Sequence, residues 1–330
     1  MPSALHRLLD EAVHSLKSAL RASGGEAPRA APTDADAGAF IHQHYTDEHG
    51  TRRYQLYVPP ARHRGPLPLV VMLHGCTQTP DDFASGTAMN VAAQRHGFYV
   101  LYPAQSRRAN LARCWNWFKH NHQQRGTGEP ALLAGMTREV MQRHPVDPRR
   151  VFVAGLSAGG AMAAILGDAY PELYAAVGVH SGLPTGAASD ATGAMAVMKN
   201  GVLPSAPSPL RPRAAAPVPP AQRPGGPPTI VFHGDQDATV HPDNGEHVLV
   251  ASLGASRQAA RSAFATVPGG LPFTIHRHVD ARGQVKAEHW VVHGGGHGWS
   301  GGRPGASYTE PNGPDATDEM LRFFFNHPRP

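Results

Sequence analysis

Val151-Phe152-Val153-Ala154-Gly155-Leu156-Ser157-Ala158-Gly159-Gly160-Ala161-Met162-Ala163-Ala164 joins an apolar run to a small-residue run through one tight turn. Its first four residues are an uninterrupted apolar run of strand type, and its last five are small and suit a helix packed closely against that strand. Between them Gly155-Leu156-Ser157-Ala158-Gly159 matches G-x-S-x-G, the nucleophile elbow, in the strand-turn-helix setting that the motif requires. Glycines flank the serine because the turn brings backbone against backbone, where a Cβ would not fit. The bland alternative is a Gly-rich turn with an incidental serine; the strand before and the helix after favour Ser157 as a catalytic nucleophile.

Before the elbow, Leu67 to Leu73 and Phe98 to Tyr102 read as buried strands, with helices predicted over 87–96 and 129–144. After the elbow comes a helix over 157–169 and a strand from Ala175 to Val179. Buried strands alternating with helices predict an α/β fold with a mostly parallel central sheet flanked by helices. An N-terminal antiparallel hairpin, Phe40 to Tyr45 with Arg53 to Val58, precedes it across Asp47-Glu48-His49-Gly50. Ten prolines crowd residues 203–228, which read as an extended insertion within one domain. The sheet resumes at Thr229 to Phe232, followed by a helix around 244–262, a strand pair Phe273 to Val279 with Glu288 to Val292, and a final helix from Asp315 to Asn326 capped by Asp315.

Residues 1–38 are expected to stand apart from this catalytic domain, 39–330. Leu5, Leu8, Leu9, Ala12, Val13, Leu16 and Leu20 recur at helical spacing among charged residues, and 23–38 are Gly-, Ala- and Pro-rich. The stripe predicts an amphipathic docking or oligomerisation helix, with attachment to an apolar granule surface as the sharper alternative. It is too charged for a secretory signal, which favours a cytoplasmic location. No stretch approaches a membrane span.

Thirty Lys and Arg against 25 Asp and Glu leave a formal charge of +5, with the basic residues scattered, so no nucleic-acid partner is expected. Among 21 histidines, His289, His293 and His297 recur every four residues, a spacing that shares a face only on a helix. His289-Trp290-Val291-Val292 favours a strand and Gly294-Gly295-Gly296 a loop, so neither a metal nor a cofactor is expected.

A serine nucleophile needs a histidine base and a carboxylate that holds it, and in folds built on such an elbow they follow in that sheet in the order Ser, Asp, His. Asp237 lies a few residues beyond the strand that starts at Thr229, with Asp235 as its competitor. His297, between glycines and after the last long strand, is the expected base. The oxyanion should be met by the backbone N–H of Ala158 and by one from His74-Gly75-Cys76-Thr77, for which the Cys76 N–H is favoured. Trp115 and Trp299, and less so Trp117, are candidates for an apolar substrate wall, with core packing as the alternative. Cys76 and Cys114, the only cysteines, could be bonded to each other.

His74-Gly75-Cys76-Thr77-Gln78, Cys114-Trp115-Asn116-Trp117-Phe118, Gly155 to Met162 and Gly296-His297-Gly298-Trp299-Ser300-Gly301-Gly302 together resemble the polyhydroxybutyrate depolymerase family of esterases, in order, over roughly residues 40–326. The resemblance implies an α/β-hydrolase with Ser157, Asp237 and His297 as triad, cleaving 3-hydroxybutyrate polyesters and short-chain esters through an acyl-enzyme. Acetylxylan and feruloyl esterases of the wider family are the alternative, and a granule-associated binding protein the non-enzymatic one. The family resemblance also leaves an extracellular location open. The chain ends soon after its last helix, without the separate polymer-binding domain of many secreted depolymerases, so amorphous polymer or oligomers are the expected substrate.

Overall fold

The structure is a computed structural model, which describes residues 38–201, 225–254, 260–280 and 282–330. The predicted N-terminal helix and linker, and the Pro-rich stretch through residue 224, lie outside the described residues.

Strands β1 (Ala39–Asp47) and β2 (Gly50–Val58) form the expected hairpin, each longer than predicted, with only Glu48 and His49 between them. Beyond them run β3 (Leu67–Leu73), β4 (Tyr99–Pro103), β5 (Val146–Leu156), β6 (Ala176–His180), β7 (Thr229–Gly234), β8 (Arg261–Thr266), β9 (Pro272–Val279) and β10 (Val285–Val292). Their order in one ten-stranded sheet is β1-β2-β4-β3-β5-β6-β7-β10-β9-β8. From β4 to β10 every neighbouring pair is parallel, and the pairs at both edges are antiparallel.

The apolar runs are continuous because the central strands are buried on both faces. Leu69, Val71 and Leu73 of β3 enter one core cluster with Val151 and Val153 of β5, while Val70 and Met72 enter the other with Phe152 and Ala154. The first core is covered by α3 (Gly128–Arg143) and α4 (Ala158–Ala169); the second by α1 (Pro80–Thr87), α2 (Met89–His96) and α7 (Ala316–Phe325). On α7 the Phe324 ring stacks on Phe152 with centroids 5.0 Å apart. As predicted, the Asp315 side chain caps α7, accepting the Asp318 N–H at 2.9 Å.

Several elements differ from expectation. The helix predicted over 87–96 is α2, which starts at Met89; before it lies α1, which the sequence reading missed, and the two meet where Ala88 adopts a φ of 52°. The one predicted over 244–262 ends early: α6 spans Asp243–Leu253, and Arg261 and Ser262 belong to the edge strand β8. Residues 255–259 lie outside the described residues. Also absent from the sequence reading are α5 (Ala191–Asn200) and the short pair of β11 (Trp299–Ser300) with β12 (Thr309–Glu310).

Candidate active site

Because β5, β6, β7 and β10 are parallel neighbours, the loops that leave them emerge at one edge of the sheet. Ser157 follows β5, His180 ends β6, Asp237 follows β7 and His297 follows β10. Four residues distant in sequence thus stand at the same end of the sheet.

The elbow is as tight as its glycines imply. Ser157 sits at φ 58°, ψ −120°, a conformation that L residues adopt only under constraint. A Cβ on Gly159 would stand 1.9 Å from the Leu73 carbonyl oxygen, and one on Gly155 2.4 Å from the Gly159 carbonyl carbon. The Ser157 N–H donates to the His180 carbonyl at 2.8 Å, which anchors the turn to the next strand.

Asp237 and His297 meet. The Nδ1 of His297 lies 2.7 Å from Asp237 Oδ2, with the Asp237 side chain fully buried. A carboxylate can only accept, so Nδ1 carries the proton and the Nε2 lone pair is left free. Asp237 Oδ1 takes the N–H groups of Thr239 and Val240 at 2.9 and 2.8 Å. Burial works to raise the pKa of this carboxyl, but hydrogen bonds and charge from His233 and His297, and the Val240 N–H, outweigh it and hold it far below the usual carboxylate range. Asp235, the competitor, is engaged elsewhere: its Oδ2 lies 2.9 Å from His293 Nδ1 and its Oδ1 accepts the Gly294 N–H at 2.7 Å. The three regularly spaced histidines therefore face three different carboxylates, His289 facing Glu246, His293 facing Asp235 and His297 facing Asp237.

On the other side of the elbow, the loop after β3 is held from several directions. The Gly75 N–H donates to Gln78 Oε1 at 2.9 Å and the Thr77 N–H to the Ala112 carbonyl at 2.6 Å. Among the described residues no acceptor is paired with the backbone N–H of Cys76 or of Ala158. Cys76 is disulfide-bonded to Cys114, 38 residues on. Behind this loop the Trp115 indole N–H donates to the His74 carbonyl at 3.1 Å, and His74 Nε2 accepts the Gln105 N–H at 3.1 Å.

The tryptophans correct the sequence reading. Trp115 has 0% exposure and Trp299 1%, so neither presents a wall to a substrate. Trp117 is buried as well. Packing and a satisfied indole N–H explain them: Trp299 stacks on His180, meets Phe83 edge-on and donates to Thr317 Oγ1 at 3.0 Å. What stands exposed instead is Leu111, 89% exposed, beside Ala112, and Tyr308, 43% exposed. The Tyr308 ring meets the His297 ring edge-on with centroids 6.1 Å apart, and its hydroxyl lies 3.2 Å from Thr77 Oγ1. Tyr308 was illegible in the sequence because a short β-pair beyond the last predicted strand brings it back.

Two supporting residues were also missed. His180 accepts the Ser300 N–H on Nε2 at 2.9 Å, tying the segment after His297 to β6. Burial, with the nearby His233 and His297, pushes its pKa down to about 3, which keeps Nε2 an acceptor. Glu129 is buried under the Cys114 loop, where it accepts the Asn116 N–H and Asn116 Nδ2 at 2.7 Å each and Gln105 Nε2 at 2.5 Å. Its only sequence signal is a charge in a helix whose neighbours are apolar.

Comparison with known proteins agrees with this architecture. Poly(3-hydroxyalkanoate) depolymerase C of Paucimonas lemoignei is 32% identical over 234 residues, 70% of this chain and 55% of that protein. A probable acetylxylan esterase A of Aspergillus clavatus is 29% identical over 57% of this chain and 61% of its own length, and feruloyl esterase B of Thermothelomyces thermophilus is 32% identical over 42% and 47%. The chain thus spans about half to three-fifths of the curated relatives it matches. In fold, acetyl xylan esterase from Aspergillus awamori superposes with a TM-score of 0.65 at 19% identity, over 87% of this chain and 99% of the other. The fold is the α/β-hydrolase fold. The model of the esterase PHB depolymerase family matches residues 52–257, more than half of the chain, and the chain belongs to that family.

Proposed function

We propose that this protein is a serine ester hydrolase with Ser157 as nucleophile, His297 as base and Asp237 as the carboxylate that orients it. The Asp237–His297 pair carries the reading, since it fixes the imidazole tautomer that a serine hydroxyl needs on the sheet edge where the elbow ends. In this scheme Ser157 Oγ attacks the ester carbonyl while its proton passes to His297 Nε2. The oxyanion is met by the N–H groups of Cys76 and Ala158. Collapse breaks the bond to the alcohol, which leaves with the proton from His297, and water then repeats the sequence on the acyl-enzyme.

The substrate reading is a polyester or oligomer of 3-hydroxybutyrate, amorphous rather than crystalline, together with short-chain esters. Its support is the family and the aromatic ring of Tyr308 beside His297. Acetylated xylan and feruloyl esters remain the alternative, because relatives named for each share comparable identity. The Cys76–Cys114 bond supports work in an oxidising, extracellular compartment over the cytoplasmic one favoured from sequence. No helix among the described residues is long and apolar enough to cross a membrane.

The test is hydrolysis of p-nitrophenyl acyl esters with and without a serine-directed phosphonate, followed by kcat/KM for a 3-hydroxybutyrate trimer, methyl ferulate and acetylated xylan. Inactivation with the label on Ser157 supports the mechanism, and label elsewhere contradicts it. A clear preference for ferulate or xylan would leave the esterase and remove the polyester.

A further inference from the structure

A second imidazole stands behind the Asp237 carboxylate. His233, the penultimate residue of β7, is 1% exposed. Its Nε2 lies 2.8 Å from the Val240 carbonyl oxygen and 3.4 Å from Asp237 Oδ2. Both neighbours are acceptors, so Nε2 must carry the ring proton. Val240 closes the circle, since its own N–H donates to the other oxygen of the same carboxylate at 2.8 Å. The Asp237 oxygen that receives His297 is therefore approached from behind by His233.

The ring is bordered on its Nδ1 side by α6 and β10. Its Nδ1 edge faces Gly245 on α6, where a methyl group would stand only 2.9 Å away, and His289 Nε2 faces the same point at 3.1 Å. The other titratable groups near the pair are His180 on β6, His289 on β10 and Glu246 on α6. Burial lowers the pKa of both histidines, and Glu246 lies 3.5 Å from His289 on the side away from Gly245.

We propose that His233 is a positioning residue for the reaction: its Nε2–H, held between the Val240 carbonyl and Asp237, keeps the carboxylate ionised and oriented for His297. The inference rests on Asp237 being the triad carboxylate. The donor draws part of the negative charge on Asp237 away from His297. Without it, the carboxylate would hold the His297 imidazolium more tightly and turn more freely, so a higher pH would be needed to free the Nε2 lone pair that accepts the serine proton.

The test compares His233→Leu, which removes the donor at similar volume, with His233→Gln, which keeps an N–H near the same position. For His233→Leu, kcat on p-nitrophenyl acetate should fall roughly 10- to 100-fold, the scale of one oriented polar contact, with KM within about two-fold. The pH below which activity is lost should move up. His233→Gln should recover most of kcat and the original pH profile. A His233→Leu enzyme with kcat within about two-fold of wild type and an unmoved profile would overturn the proposal. Should that variant not fold, long-range proton–nitrogen NMR of the wild-type ring decides: the Nε2–H tautomer across the active pH range supports it, and the Nδ1–H tautomer overturns it. Asp237→Asn measured alongside separates the two readings. Full activity there overturns the triad itself, whereas its loss beside an unaffected His233→Leu overturns only the role of His233.

Discussion

Asp235 and Asp237, two residues apart on the loop after β7, hold different histidines, His293 at 2.9 Å and His297 at 2.7 Å. The first pair is about one-third exposed on both sides, and the second is almost wholly buried. Only the buried pair is shielded from water strongly enough to hold one imidazole in one tautomer. Asp237→Asn should therefore lower kcat by roughly 10⁴, as a misoriented imidazole does in serine hydrolases. Asp235→Asn removes a partly exposed contact and should cost about 1 kcal/mol of stability or less, with kcat within a few-fold. Steady-state kinetics of the two variants check the ranking, and the reverse order would reassign the acid.

Stability should fall with acid well before the carboxylates titrate. Burial pushes His74 down to about 4 and His180 down to about 3, against 6.5 for an ordinary histidine. Between about pH 6.5 and 4 the unfolded chain therefore binds protons that the folded chain refuses. The stability from these two groups is complete above the unfolded value and is lost as pH falls, by up to about 1.4 kcal/mol per pH unit for each. Urea midpoints at pH 7.5, 6, 5 and 4.5 should decline in order; a constant midpoint would contradict the neutral assignment of both rings.

The Cys76–Cys114 bond closes a loop of 38 residues around the proposed oxyanion donor. By loop-closure entropy such a link is worth about 4 kcal/mol. Reductant, or Cys114→Ser, should lower the denaturation midpoint accordingly and reduce kcat, because the Cys76 N–H loses one of its anchors. Equal midpoints with and without reductant would show the link to be energetically idle.

Glu129 offers a sharper test of the buried network. Asn116 and Gln105 present it with donors only, so in Glu129→Gln an amide N–H₂ must face a donor. That mismatch should cost about 1–3 kcal/mol, read as a shift in the urea midpoint, although the change is nearly isosteric.

Gly159 tolerates no side chain. With the would-be Cβ 1.9 Å from a backbone oxygen, Gly159→Ala must push α4 off β3, at a cost above about 3 kcal/mol and with loss of activity. Thermal unfolding and ester hydrolysis of that variant measure both effects.

Much of the catalytic framework could be read from the chain, because its signals are local. An apolar run, a serine between glycines and a small-residue helix dictate the elbow through steric limits that act over a few residues, and the continuous apolar strands require burial on both faces whatever surrounds them. The candidates Asp237 and His297 were reachable from chain order. What stayed illegible depends on contacts between distant segments. Trp115 and Trp299 have the same composition signal whether they line a cleft or fill a core, and only packing against His74 and His180 decides that they are buried. His180 and His233 gave no signal, and Glu129 only a charge among apolar neighbours, because a polar residue in a strand or helix announces little until its partners arrive from other elements. Local pattern in the chain was enough for the central strands, the elbow and the order of the reactive residues; which carboxylate meets which histidine came only with the folded loops, since hydrogen bonds of 2.7 and 2.9 Å are set by how distant segments pack and not by spacing along the chain.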